Sequence, residues 1–250
     1  MERVPTGVYG LDTLMEGGIP KGRTVLVTGA CGTGKSIFCT QYLYQGAIQY
    51  KEPGIYLTFD ERPDLLRQDA LRFGWDIKAL EDEGLLRVID ATIGKVGLVS
   101  DEKYALRPEE FDLDKMILDI MATAKDMNAK RIAIDSIPSL GLRYSNEGDV
   151  RKAILKLSFA LMRSGLTSII TSEIDEGSNS LSKFGVEEFV ADGVVVLHYL
   201  GGLGTQTGRM VLIRKMRSTN HSEEMHPLTI TDVGMSVKAL SGSKDIESNF

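Results

Sequence analysis

The run GACGTGKS, residues 29–36, constrains this chain more than any other stretch. It satisfies G-x-x-x-x-G-K-[ST], and at this chain's own residue frequencies an accidental match arises about one time in fifty. Its flanks narrow the choice further. TVLVTG ahead of it has the unbroken apolar texture of a buried strand, and SIFCTQYLYQGA behind it that of a helix. A strand, a glycine-rich turn and a helix in that order aim backbone N–H groups at an anion held on the helix N-terminus. Gly29, Gly32 and Gly34 let the chain turn back, and Thr33 and Ile37 complete the contact set. Lys35 has the reach for β- and γ-phosphates, and Ser36 offers a hydroxyl to Mg²⁺. An accidental glycine-rich turn would leave both flanks unexplained, so the expected ligand is a nucleoside phosphate.

The remainder of the chain fits one α/β domain. Short apolar runs at Thr24–Thr28, Ile55–Phe59, Leu86–Ile89, Ile132–Ile134 and Ser168–Thr171 predict strands, several of them buried on both faces of a parallel sheet. Leu113, Ile117, Ile120, Ala124 and Met127 share one helical face, as do Val150, Ile154, Leu157 and Leu161, and both stripes read as core. After Gly193, GVVVLHYL and RMVLIRKM flank the turn-prone GGLGTQTG, which predicts an antiparallel hairpin, and LTIT and MSVKAL add one or two short strands. The expected architecture is a mostly parallel central sheet flanked by helices, with a C-terminal antiparallel β extension. Residues 1–240 form the domain, 94–110 its one long irregular connection, and 241–250 a frayed tail. With 35 acidic against 29 basic residues the chain is no bulk electrostatic trap for nucleic acid or anionic membrane. Its two cysteines exclude a disulfide framework, no stretch approaches a transmembrane span, and MERVPTGVYG lacks a signal-peptide core, so a cytoplasmic location is expected.

Hydrolysis needs a metal-organising acid and a group that orients water. Asp135 closes the apolar run RIAID, where a buried strand would carry its carboxylate toward the Mg²⁺ shell. Asp60 and Glu61 follow IYLTF, at the strand end that faces the ligand crevice of α/β sheets. A helix-capping role before Pro63 is the alternative for Asp60 and less natural for Glu61. Glu173, with Thr171 and Ser172, is a further candidate for the crevice. Cys31 lies inside the loop, where a helix N-terminus lowers a thiol pKa, although the position also suits any small residue.

Taken together, these stretches resemble the KaiC family of RecA-like ATPases. TGVYGLDTLMEGGIPKG is similar to the family's lead-in, followed by GACGTGKS, YLTFDE, RFGWD, FDLDKMILDI, RIAIDS, TSE and FGVEEFVADGVVVL; KMRSTNHSEEMHPLTITDVG is similar to its K-[LM]-R-G-T-x-H…T-[DE] segment. The resemblance implies a RecA-type core, a homo-oligomer in a ring of six, and ATP clamped between neighbours. By position, Lys215, Met216, Arg217, Thr219 and His221 match the segment that reaches the neighbour's nucleotide, Thr231 and Asp232 the pair beside base or ribose, and Asp60 and Glu61 the catalytic acid pair. Three departures are informative. Asp60 stands where the family has glutamate, which favours Glu61 as the water-positioning group. Ser218 replaces the glycine of K-x-R-G-T. The clock protein has two tandem copies of the domain, where this chain has one.

The resemblance and the residues together favour an Mg-dependent, ring-forming ATPase of regulatory or signalling character with an unidentified protein partner. A DNA-acting recombinase would want a basic loop after the fifth strand; here DEGSNSLSKFG carries one lysine against two acids. An autokinase would want hydroxyl acceptors where this chain has Glu188 and Phe189, with Ser182 the nearest alternative. Lys215 and Arg217 follow a β-run with no acid inside the segment to pair them. They read as groups presented to a neighbouring subunit, against the alternative of a solvated charged edge strand.

Overall fold

In the computed structural model, residues 1–92, 102–105, 112–175, 178, 180–200 and 208–239 are described. The tail at 241–250, residues 201–207 of the GGLGTQTG turn and most of the 94–110 connection lie outside the described residues. β1 (Arg3–Val4) and β2 (Ile19–Pro20) form a small antiparallel pair ahead of the main sheet. The sheet contains β3 (Thr24–Gly29), β4 (Gly54–Thr58), β5 (Leu86–Asp90), β6 (Arg131–Asp135), β7 (Thr167–Glu173), β8 (Gly193–Leu200), β9 (Gly208–Met216), β10 (Met225–Thr231) and β11 (Gly234–Val237). Their order is β11-β10-β9-β8-β3-β7-β6-β4-β5. The β8-β3-β7-β6-β4-β5 half is parallel and the β8-to-β11 half antiparallel, as the change of texture after Gly193 predicts.

Alternation along the buried strands divides the core in two. Val25 and Val27 of β3 face α1 (Lys35–Tyr50), α2 (Pro63–Leu71) and α3 (Ile77–Asp82), whereas Leu26 faces α4 (Leu113–Asp126) and α5 (Glu147–Ser164). The expected stripes of α4 and α5 are the buried ones, with Met127 capping α4 and partly covered. A short α6 (Glu187–Val190) precedes β8. Strands covered on both sides cannot alternate polar with apolar, which is why they read as continuous hydrophobic runs.

Two placements follow from the strand order. The parallel strands deliver the loop after β3 and the residues ending β4, β6 and β7 to one end of the sheet. Register then separates the Lys215–Arg217 segment from that end: Gly29 pairs with Leu197, whereas Met216 pairs with Gly193, four residues back along β8. That offset is about 13 Å along the strand direction.

Candidate nucleotide site

The loop between β3 and α1 is shaped by contacts a larger residue would break. A Cβ on Gly29 would sit 2.3 Å from the carbonyl oxygen of Leu197. Gly34, the N-cap of α1, has φ 107°, and a Cβ there would meet Met235 and Ile230 of the β10–β11 hairpin within 2.9 Å. The hairpin that carries Thr231 and Asp232 therefore leans on the first turn of α1 in the same subunit. Both residues are exposed, with Val233 N–H donating to Thr231 Oγ1. Thr33 is buried and its hydroxyl donates to Ala30 O at 2.9 Å. Lys35 is buried, and its ammonium donates to the carbonyls of Gly29 (2.9 Å) and Ala30 (3.0 Å), bracing the loop from within. Ser36 and Ile37 are half-buried, Gly32 and Cys31 exposed. Sequence reasoning missed Arg209, whose guanidinium donates to Gly32 O at 3.1 Å and lies over the Tyr199 ring. Its approach depends on the β8–β9 register, which the motif does not reveal.

The two strand-end acids have different surroundings. The Asp60 carboxylate accepts from the hydroxyls of Ser136 and Ser139, just past β6. It does not cap α2, whose N-cap is Arg62 with no side-chain cap bond. The capping alternative is thereby replaced by a cross-strand tie. Glu61 has its backbone fixed instead: its N–H donates to Thr58 Oγ1 and its carbonyl accepts from the same hydroxyl. Glu61 lines a pocket with Ser36, Ile37, Thr40, Leu66, Asp69, Phe73 and Trp75. Burial, followed by the nearby charges of Asp69 and Asp135, pushes the Glu61 carboxyl above the ordinary carboxylate range.

Asp135 ends β6, only 6% exposed, beside Thr58 in register. Its Oδ2 accepts from Tyr56 Oη at 2.9 Å and its Oδ1 from Thr171 Oγ1 at 2.5 Å. Thr171 and Ser172 thus have partners of their own, since the Ser172 hydroxyl donates to the fully buried Glu187. Glu173, next in line, is exposed. A Mg²⁺ ion fits this donor set, in which a half-exposed hydroxyl at a helix start faces the crevice and a hydrogen-bonded carboxylate makes no ion pair among the described residues.

The segment after β9 departs from its sequence reading. β10 pairs along the Arg209–Leu212 half of β9, and its register does not extend to the Ile213–Met216 half that carries Lys215. The strand ends at Met216, so the alternation expected for Lys215, Arg217 and Thr219 stops there, and Ser218 takes a left-handed φ of 57° where the family has glycine. An acid does pair Arg217, from outside the segment: its guanidinium lies 3.5 Å from Asp192 Oδ1, which Arg23 also engages at 3.0 Å. Lys215 donates to the carbonyls of Glu188 and Ala191, closing the C-terminal end of α6, and its pKa is lowered by burial and by Arg217. Met216 is buried, the half-buried Thr219 hydroxyl accepts from Arg3, and half-buried His221 Nδ1 lies 2.9 Å from Ser222 O.

A family model described as the KaiC ATPase matches residues 4–242. A UPF0273 protein of Methanocaldococcus jannaschii is 39% identical over 241 residues, covering 95% of this chain and 96% of that protein. The circadian clock oscillator protein KaiC of Parathermosynechococcus lividus is 37% identical over 232 residues, 93% of this chain and 41% of that protein. The chain thus spans less than half the length of the clock proteins it matches. The crystal structure of a KaiC-like protein from the hyperthermophilic archaeon Pyrococcus horikoshii superposes with a TM-score of 0.83 at 39% identity, covering 95% of this chain and 99% of that one.

Proposed function

The chain belongs to the KaiC family of ATPases, and from that premise we propose that it binds Mg–ATP and hydrolyses it within a homo-oligomeric ring, the site being completed by a neighbouring subunit. The observation that carries the reading is that Lys35, Ser36, Asp135 and the half-buried Glu61 converge on one end of the sheet, with Arg217 at the other. When bound, Mg²⁺ would neutralise charge on the β- and γ-phosphates, held by Ser36 and organised by Asp135. Lys35 stabilises charge on the γ-phosphoryl group. Glu61 orients the attacking water and accepts its proton as the γ-phosphorus–bridging-oxygen bond breaks, releasing ADP and phosphate. The Thr231–Asp232 turn cradles base or ribose. Residues 1–240 act as one ATPase domain with a regulatory or signalling role toward a protein partner, in the cytoplasm.

The test is sizing by light scattering with and without Mg–ATP while phosphate release is followed. A hexamer-sized species that turns over ATP supports the reading, and a monomer with full turnover sinks the ring.

Self-phosphorylation is not expected. Glu188 and Phe189 stand at the acceptor positions that the resemblance points to, and neither takes a stable phosphoester. The alternative acceptor Ser182 is 1% exposed, and its hydroxyl lies within hydrogen-bond reach of Glu187 Oε2, at 2.8 Å, and of the Glu188 carboxylate. A phosphate there would face two carboxylates. Intact-mass measurement after incubation with Mg–ATP should show the unmodified chain, and a stoichiometric gain of one phosphate would contradict the assignment.

A further inference from the structure

We propose that Tyr56 is a positioning residue for the metal site, clamping the Asp135 carboxylate together with Thr171. The inference rests on Asp135 being the metal-organising acid. Ahead of Thr58, the side chains flanking Tyr56 in β4 are apolar, Ile55 and Leu57 entering one core and Tyr56 the other. A phenylalanine would fill the same volume. What the tyrosine adds is one hydroxyl, 2% exposed as a residue, aimed at Asp135 Oδ2 from 2.9 Å. The Thr171 hydroxyl approaches the other oxygen from β7, so donors on the two strands flanking β6 grip the carboxylate from opposite sides.

The chemistry of the two donors is the point. Each carboxylate oxygen accepts about two hydrogen bonds, so one hydroxyl on each leaves further acceptor capacity on both. Neutral donors satisfy and orient a buried carboxylate without cancelling its charge. A lysine or arginine in their place would neutralise the acid that must attract a dication. Partners that orient a metal-site group typically matter 10–100-fold in metal affinity. Tyr56 touches neither nucleotide nor water in this scheme, so its effect should appear in Mg²⁺ dependence and not in phosphate-loop binding as such.

The experiment is calorimetric titration of ADP at stepped Mg²⁺ concentrations, with emission of Trp75, the chain's single tryptophan and a wall of the pocket shared with Ser36 and Glu61, as a parallel signal. Tyr56→Phe should raise the Mg²⁺ concentration giving half-maximal tightening by about 10-fold, leaving Mg-free ADP binding within about twofold of wild type. Thr171→Val should shift it in the same direction, and Thr171→Ser, which keeps the hydroxyl, should restore it. Asp135→Asn separates the premise from the proposal. If Asp135→Asn loses Mg²⁺ dependence while Tyr56→Phe titrates as wild type, the clamp is overturned and the metal reading stands. If Asp135→Asn itself titrates as wild type, both fall. An equal loss of Mg-free and Mg-dependent binding in Tyr56→Phe would assign the hydroxyl to the fold alone and overturn the proposal.

Discussion

Replacing Glu61 with glutamine is expected to lower phosphate release by about 10²–10³-fold while leaving ATP and ADP affinity within about threefold. Glutamine keeps the length and shape of the side chain in the pocket beside Ser36, so what is lost is the charge that orients and deprotonates water. The environment of Glu61 already favours a base. Its carboxyl is raised by burial and by the charges of Asp69 and Asp135, so turnover should fall as pH drops through a value above the ordinary 4.5. That acid limb should vanish from the residual activity of Glu61→Gln. The sign for stability is opposite. A carboxyl whose folded-state pKa exceeds its unfolded value costs stability at pH above the folded pKa, and the cost fades as pH falls through it. Glu61→Gln should therefore melt at or above the wild-type temperature at pH 7, the difference closing on acidification. Lys35→Ala should behave differently, losing about 100-fold in nucleotide affinity as well as turnover, because a charge-assisted contact and both carbonyl braces of the loop go together. Asp60→Asn should cost far less than Glu61→Gln, since Ser136 and Ser139 already occupy that carboxylate. Equal phosphate release from wild type and Glu61→Gln would mean that another acid positions the water.

What the sequence revealed and what it hid divide along the range of the interactions. The loop from Gly29 to Ser36 is legible because its strand, turn and helix start are contiguous, and each residue type answers a local requirement. Asp135 and the Asp60–Glu61 pair are legible because parallel strands end on the ligand side, whatever their order. Choosing between Asp60 and Glu61 was not possible on local grounds beyond side-chain length. The distinction lies in Ser136 and Ser139, which reach Asp60 only because β6 neighbours β4. Tyr56 carries no local signal either, because its acceptor Asp135 lies on the neighbouring strand β6. The partner of Arg217 is hidden more deeply. Asp192 lies 25 residues earlier, and its approach depends on a bulge between Val194 and Val195 that shifts the β8–β9 register.

Mixing two inactive variants, Lys35→Ala and Arg217→Ala, under conditions that allow subunit exchange is expected to restore part of the ATPase activity that each lacks alone. The geometry inside one subunit argues for this outcome. The Met216 end of β9 is set back about 13 Å along the sheet from the level of Gly29, and the Arg217 backbone is held there by its N–H donating to Asp192 O at 2.9 Å. An arginine so placed serves its own phosphate loop poorly, yet sits where a neighbour packed against that end of the sheet could receive it. Its present partner holds it loosely. The Arg217–Asp192 contact is 3.5 Å long, the Arg217 side chain is 53% exposed, and Arg23 remains to compensate Asp192 when Arg217 leaves. Asp192 itself is buried, so its charge needs a partner after Arg217 leaves, and the 3.0 Å contact with Arg23 provides one. Known trans-acting arginines contribute about 10³–10⁵ in rate, so Arg217→Ala alone should be nearly silent even with its phosphate loop intact. In mixed rings some interfaces pair an intact Lys35 with a neighbour's intact Arg217, and those interfaces should turn over. Specific activity should also fall on dilution below the range in which the ring dissociates. If mixed rings form and no ratio recovers activity, either Arg217 acts within its own subunit or turnover needs every interface intact. Rings in which one wild-type subunit is diluted among Lys35→Ala subunits separate these two explanations. Activity in proportion to the wild-type fraction would leave the cis role, and its absence would point to a concerted ring.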